Sequence, residues 1–543
     1  MYVHEVVART LAGHGVDTVF GVLGDANLYL MDSFRRAAGG RYVAFANEIG
    51  AVLAANGFAQ AGERLGVATV TSGPGLTNTV TALVEGVRGH TPVLVIAGDT
   101  AAVDRENVQS LAQRELVAAA GAGFEQVRSP GTVAEDLAVA VRRALLERRP
   151  VVLNVPADFQ WQEAECPPPR PKFVAPQAIA ADPSALDQAA GAIAGANRPL
   201  VLAGRGATSP AARAALVRLA GRIGAPLGST LPAKDLFRGE PHNLGIIGTL
   251  ANDVAVEHAG QADCVIAFGA GLNRWTTAGG SLLAKKRLVH VDIDRTAINR
   301  WAPADVGVVG DAAIVAEALA GRLGEAGLPA SGFASDTLAR RLASWPEYAD
   351  RGTEDALDIR TALIRLDAAF PADRTLAFDG GWWGQFGFNL MHVTHPSACV
   401  HTSHFGSIGL GMGSAIGAAL AVPDRPALLV TGDGGFMLGG LAEFHTAVRL
   451  GLGLVVAVLN DGGYEAERVH LRGRGLDPAL ASFDWPDLAA VATSLGGRGH
   501  RVRTLAELDQ ALDAVAEPDR PVLLDIGVTQ PPPGGGALIG RPG

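Results

Sequence analysis

The chain has 543 residues, 48% of them hydrophobic and 18% charged, with 69 glycines and a formal net charge of −10. That length predicts about three domains, and the composition excludes a disordered chain. The negative balance argues against nucleic acid or an anionic membrane as partner. No run of about 20 apolar residues is present to span a membrane. Cys166, Cys264 and Cys399 lie far apart without a CxxC spacing, so neither a zinc site nor a disulfide framework is expected, and a reducing cytoplasm fits. MYVHEVVARTLAGHGVDTVFG has no basic segment leading into an apolar one, so it does not read as a signal peptide.

Residues 1–163 alternate helical and strand patterns. VHEVVARTLAGHGV reads as an amphipathic helix, TVFGV as a buried strand, NEIGAVLAANGFAQAG as a helix and GVATVTS as a strand. A helix from Leu76 to about Gly89 follows, then the strands TPVLVIAG and PVVLNVP. Residues 164–184 begin with the proline-rich AECPPPRPKFVAPQ and are predicted to be a linker. Residues 185–328 form a second α/β unit with strands RPLVLAG, APLGST, CVIAFG and RLVHVDID. The polar stretch 329–354 is predicted to be a second, irregular linker. Residues 355–530 form a third unit with strands TLAFDG, PALLVTGD, LVVAVLND and PVLLDIG, and the tail 531–543 is expected to be loose. This βα alternation predicts an α/β protein of three Rossmann-like domains, each with a parallel sheet. GVATVTSGPGLTN in the first unit and PALLVTGDGGF in the third share one plan, strand, Gly-rich turn, helix, as copies of one fold would.

The third unit carries the chemistry. A Gly-rich turn between strand and helix aims backbone N–H groups at an anion, and the helix dipole adds to the attraction. That accounts for Gly432, Gly434 and Gly435 but not for Asp433, whose charge repels a phosphate. A divalent cation reconciles the two, because Mg²⁺ joins hard carboxylate oxygens to phosphates. Asp461 or Asn460, closing the next strand, offers a second oxygen, and a backbone carbonyl at Gly462 or Gly463 a third. Adjacent strand ends of a parallel sheet lie side by side, and ligands bind in the crevice there. The alternative, ordinary βα turns with Asp as helix cap, does not explain two acidic turns after two strongly apolar runs.

This GDG turn followed by Asn-Asp resembles the diphosphate motif of thiamin-diphosphate-dependent enzymes. VDTVFGVLGDANLYLMDS, FANEIGAVLAANGFAQAGERLGVATVTSGPGLTN and GSIGLGMGSAIGAAL extend the likeness over nearly the whole chain, to the acetohydroxyacid synthase, pyruvate decarboxylase and benzoylformate decarboxylase group. The resemblance implies pyrimidine-binding, central and diphosphate-binding domains in that order, with thiamin diphosphate and Mg²⁺ as cofactors. It also implies a homodimer or homotetramer with active sites at subunit interfaces. FAD is left open: GRGATSP and GAGLNRWTTAGG are Gly-rich turns of the central unit, but a lone GxG is weak evidence for a nucleotide.

Residue by residue, the resemblance makes Glu48 the carboxylic acid at pyrimidine N1′, which sets up removal of the thiazolium C2 proton by the cofactor's own amino group. Glu48 stands in an otherwise almost uncharged helix, which a solvated face does not explain. Ser72, Gly73, Pro74, Gly75 and Asn78 match the turn near the pyrimidine. Gly406 is expected to offer its carbonyl to the amino group, and Ile408 to bend the cofactor. Gly381 and Trp382 fall where the family touches the diphosphate. The second metal ligand is expected three residues before a Tyr: counted from Tyr464 it is Asp461, with the Gly463 carbonyl beside it, whereas counted 27 positions from Asp433 it is Asn460. One extra residue in MLGGLAEFHTA would reconcile the two counts. Asp25 and Glu467 match catalytic acids of the pyruvate decarboxylase type, and Gln109 a substrate-side Gln of acetohydroxyacid synthases. His90, His404 and His470 are further possible proton donors.

The decarboxylases' His-His pair has no counterpart, since residues 100–125 contain no histidine. The expected reaction is therefore acetolactate-synthase-like: decarboxylation of a 2-oxo acid and transfer of the acyl unit to a carbonyl acceptor. Simple 2-oxo acid decarboxylation is the alternative. A catalytically silent, cofactor-binding family member is the alternative of another class, and intact Glu48 and Asp433 argue against it. A nucleotide-binding dehydrogenase is disfavoured because GDGGF does not fit GxGxxG.

Overall fold

The computed structural model describes residues 1–101, 103–104, 106–166, 177–344, 348–515 and 519–530. Residues 167–176 of the first predicted linker and the tail 531–543 lie outside the described residues. Contacts divide the chain into two compact units: Met1–Val174 with Gly352–Gly384 and Ser397–Thr529, and Ala175–Arg351 with Gln385–Pro396 and Gln530–Gly543.

The first sheet contains β1 (Thr18–Gly21), β2 (Arg41–Ala44), β3 (Gly66–Val70), β4 (Val93–Asp99), β5 (Gly123–Gln126) and β6 (Val151–Pro156), in the order 2-1-3-4-6-5. The central sheet contains β7 (Pro199–Ala203), β8 (Leu227–Ser229), β9 (Asn243–Ile246), β10 (Cys264–Phe268), β11 (Arg287–Asp292) and β12 (Val306–Val309), in the order 12-11-10-7-8-9. The third contains β13 (Leu357–Asp358), β14 (Thr375–Phe378), β15 (Cys399–His401), β16 (Ala427–Gly432), β17 (Leu454–Asn460), β18 (Arg498–Val502) and β19 (Val522–Thr529), in the order 13-19-17-16-14-15, with β18 also beside β19. All pairings between these strands are parallel, and β3, β6, β7 and β10 are buried along their full length, as sheets covered by helices on both faces require.

Two expectations need correction. The helix placed from Leu76 to Gly89 is broken into Pro74–Thr77 and Val80–Arg88, because the buried Thr79 hydroxyl turns back to donate to the Leu76 carbonyl. The second linker is not wholly irregular. Asp336–Ala343 is a helix, capped by the Ser335 hydroxyl accepting from the Leu338 amide.

Within the first unit, the helix Glu48–Gly62 crosses Gly411–Ala421 backbone to backbone. A methyl group at Gly57 would sit 2.0 Å from the Ser414 carbonyl oxygen, and one at Gly417 1.9 Å from that of Ala54. This is why both segments are rich in Gly and Ala. Gly417→Ala is expected to destabilise the first unit by about 3 kcal/mol or more through overpacking. Gly191→Ala, with nothing near its added carbon, should change stability by less than about 1 kcal/mol. Chemical denaturation of the two variants checks this.

In the central sheet the strand order reverses between β7 and β10. The Gly-rich turns after these strands close on each other there. The Gly204 amide donates to the Phe268 carbonyl at 2.8 Å and the Gly206 amide to that of Gly269 at 3.0 Å. Gly204, Gly206 and Gly269 are accounted for by this close packing.

Candidate active site

In the third sheet the order reverses between β14 and β16, so the crevice lies at the carboxyl ends of these strands and of β17. Asp379 follows β14, Asp433 follows β16, Asn460 closes β17 and Asp461–Tyr464 follows it. Asp379 is 2% exposed. Its carboxylate accepts from the amides of Gly380, Gly409, Leu410 and Gly411 at 2.8–3.1 Å and from the hydroxyls of Thr431 and Thr402 at 3.0 and 3.3 Å. Burial pushes its carboxyl up, and these donors work against that shift. Asp379 thereby ties the turn after β14, the loop 402–411 and the end of β16 into one assembly. That loop carries Gly406 and Ile408, at its exposed and half-buried surface.

Asp433 is equally buried. Its carboxylate accepts from the amides of Gly434 and Gly463, both at 2.8 Å, and from the Trp485 indole N–H at 2.9 Å. Burial pushes this carboxyl up as well. The Gly463 contact joins the two acidic turns. Gly434 has no room for a side chain, since an added carbon would lie 2.3 Å from the Tyr464 ring. The helix running on from Asp433 contains a π-turn at Phe436–Gly440 before its α-helical part Leu441–Arg449, and a π-turn takes up one residue more than an α-turn.

The remaining expected ligands are engaged elsewhere. Asp461 pairs with Arg468 at 2.5 Å. Asn460 donates to Asp525 at 2.8 Å and accepts from the Gly462 amide at 3.2 Å. Gly381 is exposed and Trp382 half-buried, whereas Trp383 is 3% exposed. Glu467 and His470 are exposed on the helix Glu465–Gly473.

On the first sheet the reversal falls between β1 and β3. Asp25 is exposed in the turn after β1. After β3, Ser72 donates to the Gln109 side chain at 2.5 Å, and the Gly73 amide donates to Gln113 at 2.9 Å. Gly73 has a φ of +56°, and an added carbon would lie 2.3 Å from the Gln109 carbonyl oxygen. Gln113 is held by Gly98 and Asn154, and Asn154 by Asp99, in a largely buried polar network. Glu48 opens its helix half-buried and accepts from Asn78 at 3.0 Å. No hydrogen bond among the described residues joins it to the turn at Asp433.

Two buried carboxylates link these halves. Glu443 accepts from the amides of Ala46 and Asn47, at 3.4 and 3.1 Å, directly before Glu48. Glu85, in the helix Val80–Arg88, accepts from the His404 ring at 2.8 Å and the amides of His404 and Phe405, at 3.1 and 2.7 Å. This occupies His404 and holds the approach to Gly406. His90 is exposed, with a φ of +50°.

Sequence reasoning missed Asp379, Trp383, Trp485, Glu85, Glu443 and Gln113. Asp379 carries the same signal as Asp433, an acid closing an apolar run before glycines. Trp485 lies 52 residues from Asp433 and has no local signal.

Two acidic turns, after the neighbouring strands β16 and β17, are thus joined beside the switch point. Models of thiamine pyrophosphate enzymes match the chain in three places: the N-terminal TPP binding domain at residues 1–120, the central domain at 186–319 and the C-terminal TPP binding domain at 379–526. The chain belongs to this family, and is a thiamin-diphosphate-dependent enzyme that breaks or makes C–C bonds. It is 29% identical to a probable 2-ketoarginine decarboxylase of Pseudomonas aeruginosa, over 94% of this chain and 91% of that protein. It is 27% identical to a sulfoacetaldehyde acetyltransferase of Alcaligenes xylosoxydans xylosoxydans (94% and 89%) and 27% identical to the large subunit of acetolactate synthase isozyme 2 of Escherichia coli (96% and 95%). Among the described residues, no helix is long and apolar enough to cross a membrane.

Proposed function

We propose that this enzyme decarboxylates a 2-oxo acid and transfers the acyl unit to a carbonyl acceptor, using thiamin diphosphate held through Mg²⁺. The observation that carries the cofactor's place is the buried Asp433 carboxylate, tied to the Gly463 amide at the switch point. The donor set fits the group: hard oxygens at Asp433 and Gly463 suit Mg²⁺, and the amides of the Gly432–Gly435 turn suit phosphate. Asp461 is the better second ligand, since Asn460 is spent on Asp525 and Gly462; Arg468 competes with the cation for it. When bound, the cofactor supplies a thiazolium carbon that adds to the keto carbon and accepts the electron pair as CO₂ leaves.

The chain's own residues then have distinct tasks. Glu48 holds a proton at the pyrimidine, steadied by Asn78. Gly406 receives the amino group on a loop fixed by Asp379 and Glu85, and Ile408 shapes the cofactor. Ser72, Gly73 and Gln109 form the wall on the substrate side, with Asp25 and Glu467 as acids. A second copy of the chain brings its diphosphate turn to Glu48, which accounts for the open face of that residue and makes a dimer the smallest active form. Transfer is preferred over simple decarboxylation because two of the three relatives above are named for a transfer or synthase reaction and residues 100–125 lack histidine.

A panel of 2-oxo acids, assayed for CO₂ release with and without an aldehyde acceptor and analysed by NMR, tests this. A hydroxy-ketone or hydroxy-acid product that requires both cofactors supports transfer. Free aldehyde as the main product, with acceptor present, would replace it by simple decarboxylation.

A further inference from the structure

The turn after β14 holds an indole nitrogen that the sequence reading passed over. Trp383 is 3% exposed, and its Nε1–H has no hydrogen-bond partner among the described residues. Its ring packs against Phe378 of β14, with centroids 5.8 Å apart. The nitrogen edge is directed at two glycines of the switch-point crevice. A carbon added at Gly381 would lie 2.4 Å from Nε1, and one added at Gly432 would lie 3.4 Å from it. Gly432 begins the turn that leads to Asp433; a side chain at Gly381 would collide with the nitrogen, and one at Gly432 would touch it.

A buried N–H donor left without a partner is rare and unfavourable. The other indole at this turn is satisfied, since Trp485 donates to Asp433 at 2.9 Å. Trp383 therefore has a donor and no acceptor among the described residues, at the place where the strand order reverses and an anion would be received by the Gly432–Gly435 turn. We propose that Trp383 is a diphosphate-binding residue whose indole N–H donates to a phosphate oxygen of the cofactor. The inference rests on the thiamin-diphosphate reading above. It assigns the role to Trp383 in place of its neighbour Trp382.

The test uses the full-length apo protein and calorimetric titration with thiamin diphosphate and with inorganic pyrophosphate, each in the presence of Mg²⁺. Trp383→Phe keeps the ring and removes the donor. It is expected to weaken both ligands by a similar factor, at least about tenfold, as loss of a hydrogen bond to a charged group does. Trp383→His, which restores a ring N–H, should recover much of that loss. Trp301→Phe, at an exposed position in the other unit, should bind as wild type does. Ligand-induced change in tryptophan fluorescence should shrink in Trp383→Phe and persist in Trp301→Phe. Wild-type affinity for both ligands in Trp383→Phe would overturn the inference while leaving the cofactor reading intact. Equal loss in the Phe and His variants would overturn it too, by making Trp383 a packing residue. If the wild-type protein bound neither ligand, the cofactor reading itself would fall.

Discussion

Glu48→Gln is expected to reduce turnover by at least about 10²-fold, the range general acid–base groups supply, while thiamin diphosphate still binds. Glu48 begins a helix whose far side is pinned against Gly411–Ala421 by glycine contacts, and whose entry is fixed by Glu443 accepting from the Ala46 and Asn47 amides. The carboxyl is therefore held by the backbone on one side and by Asn78 on the other. Gln keeps the size and the bond to Asn78 but cannot give or take the proton. The Gly432–Gly435 turn, proposed to hold the diphosphate, lies on a different sheet, so binding should survive. Cofactor affinity by calorimetry alongside product formation separates the two effects; activity within about threefold of wild type would remove Glu48 from the proton relay.

Asp433→Asn should abolish Mg²⁺-dependent cofactor binding, raising the dissociation constant by more than about 10²-fold, since even residues supporting a metal ligand are worth 10–100-fold. The pH dependence follows from burial, which pushes the Asp433 carboxyl above the usual carboxylate range. Mg²⁺ needs the ionised form, so affinity for the metal–cofactor pair should begin to fall at a higher pH than an ordinary Asp would give. The stability contribution of this group in the metal-free protein has the opposite trend. A raised pKa contributes stability below the unfolded value, and that contribution is lost as pH rises through the folded one. Bound cation reverses this by favouring the charged form. Titrating affinity and apo-protein melting temperature against pH in wild type and Asp433→Asn checks both signs; a pH-independent affinity down to the ordinary Asp range would contradict the account.

The sequence made the inner strands legible and the edges not. TVFG, GVATV, VLVIAGD and VVLNVP are apolar runs because both faces of an inner strand are covered. The strands it left out, such as RYVA, GFEQ and RGHRV, lie at sheet edges and mix in polar residues, since solvent reaches one side. The site divides the same way. Asp433, Gly434 and Gly463 were readable because their reason is local, an acid and glycines at strand ends. Trp485, Glu85 and Glu443 were not, because each acts on a segment distant in sequence: Glu85 receives His404, and Glu443 receives Asn47. Asp461 was readable as a hard ligand, but its partner Arg468, one helical turn past Tyr464, was not weighed.

The central claim is that this chain binds thiamin diphosphate through Asp433 and activates it through Glu48. Exchange of the cofactor's C2 proton for deuterium, followed by quench and NMR, tests that claim without knowledge of the substrate. Wild-type protein with Mg²⁺ should exchange this proton orders of magnitude faster than free cofactor, and Glu48→Gln, with cofactor bound, should lose most of that acceleration. Exchange in the wild-type protein no faster than in free solution, or equally fast in Glu48→Gln, would contradict it.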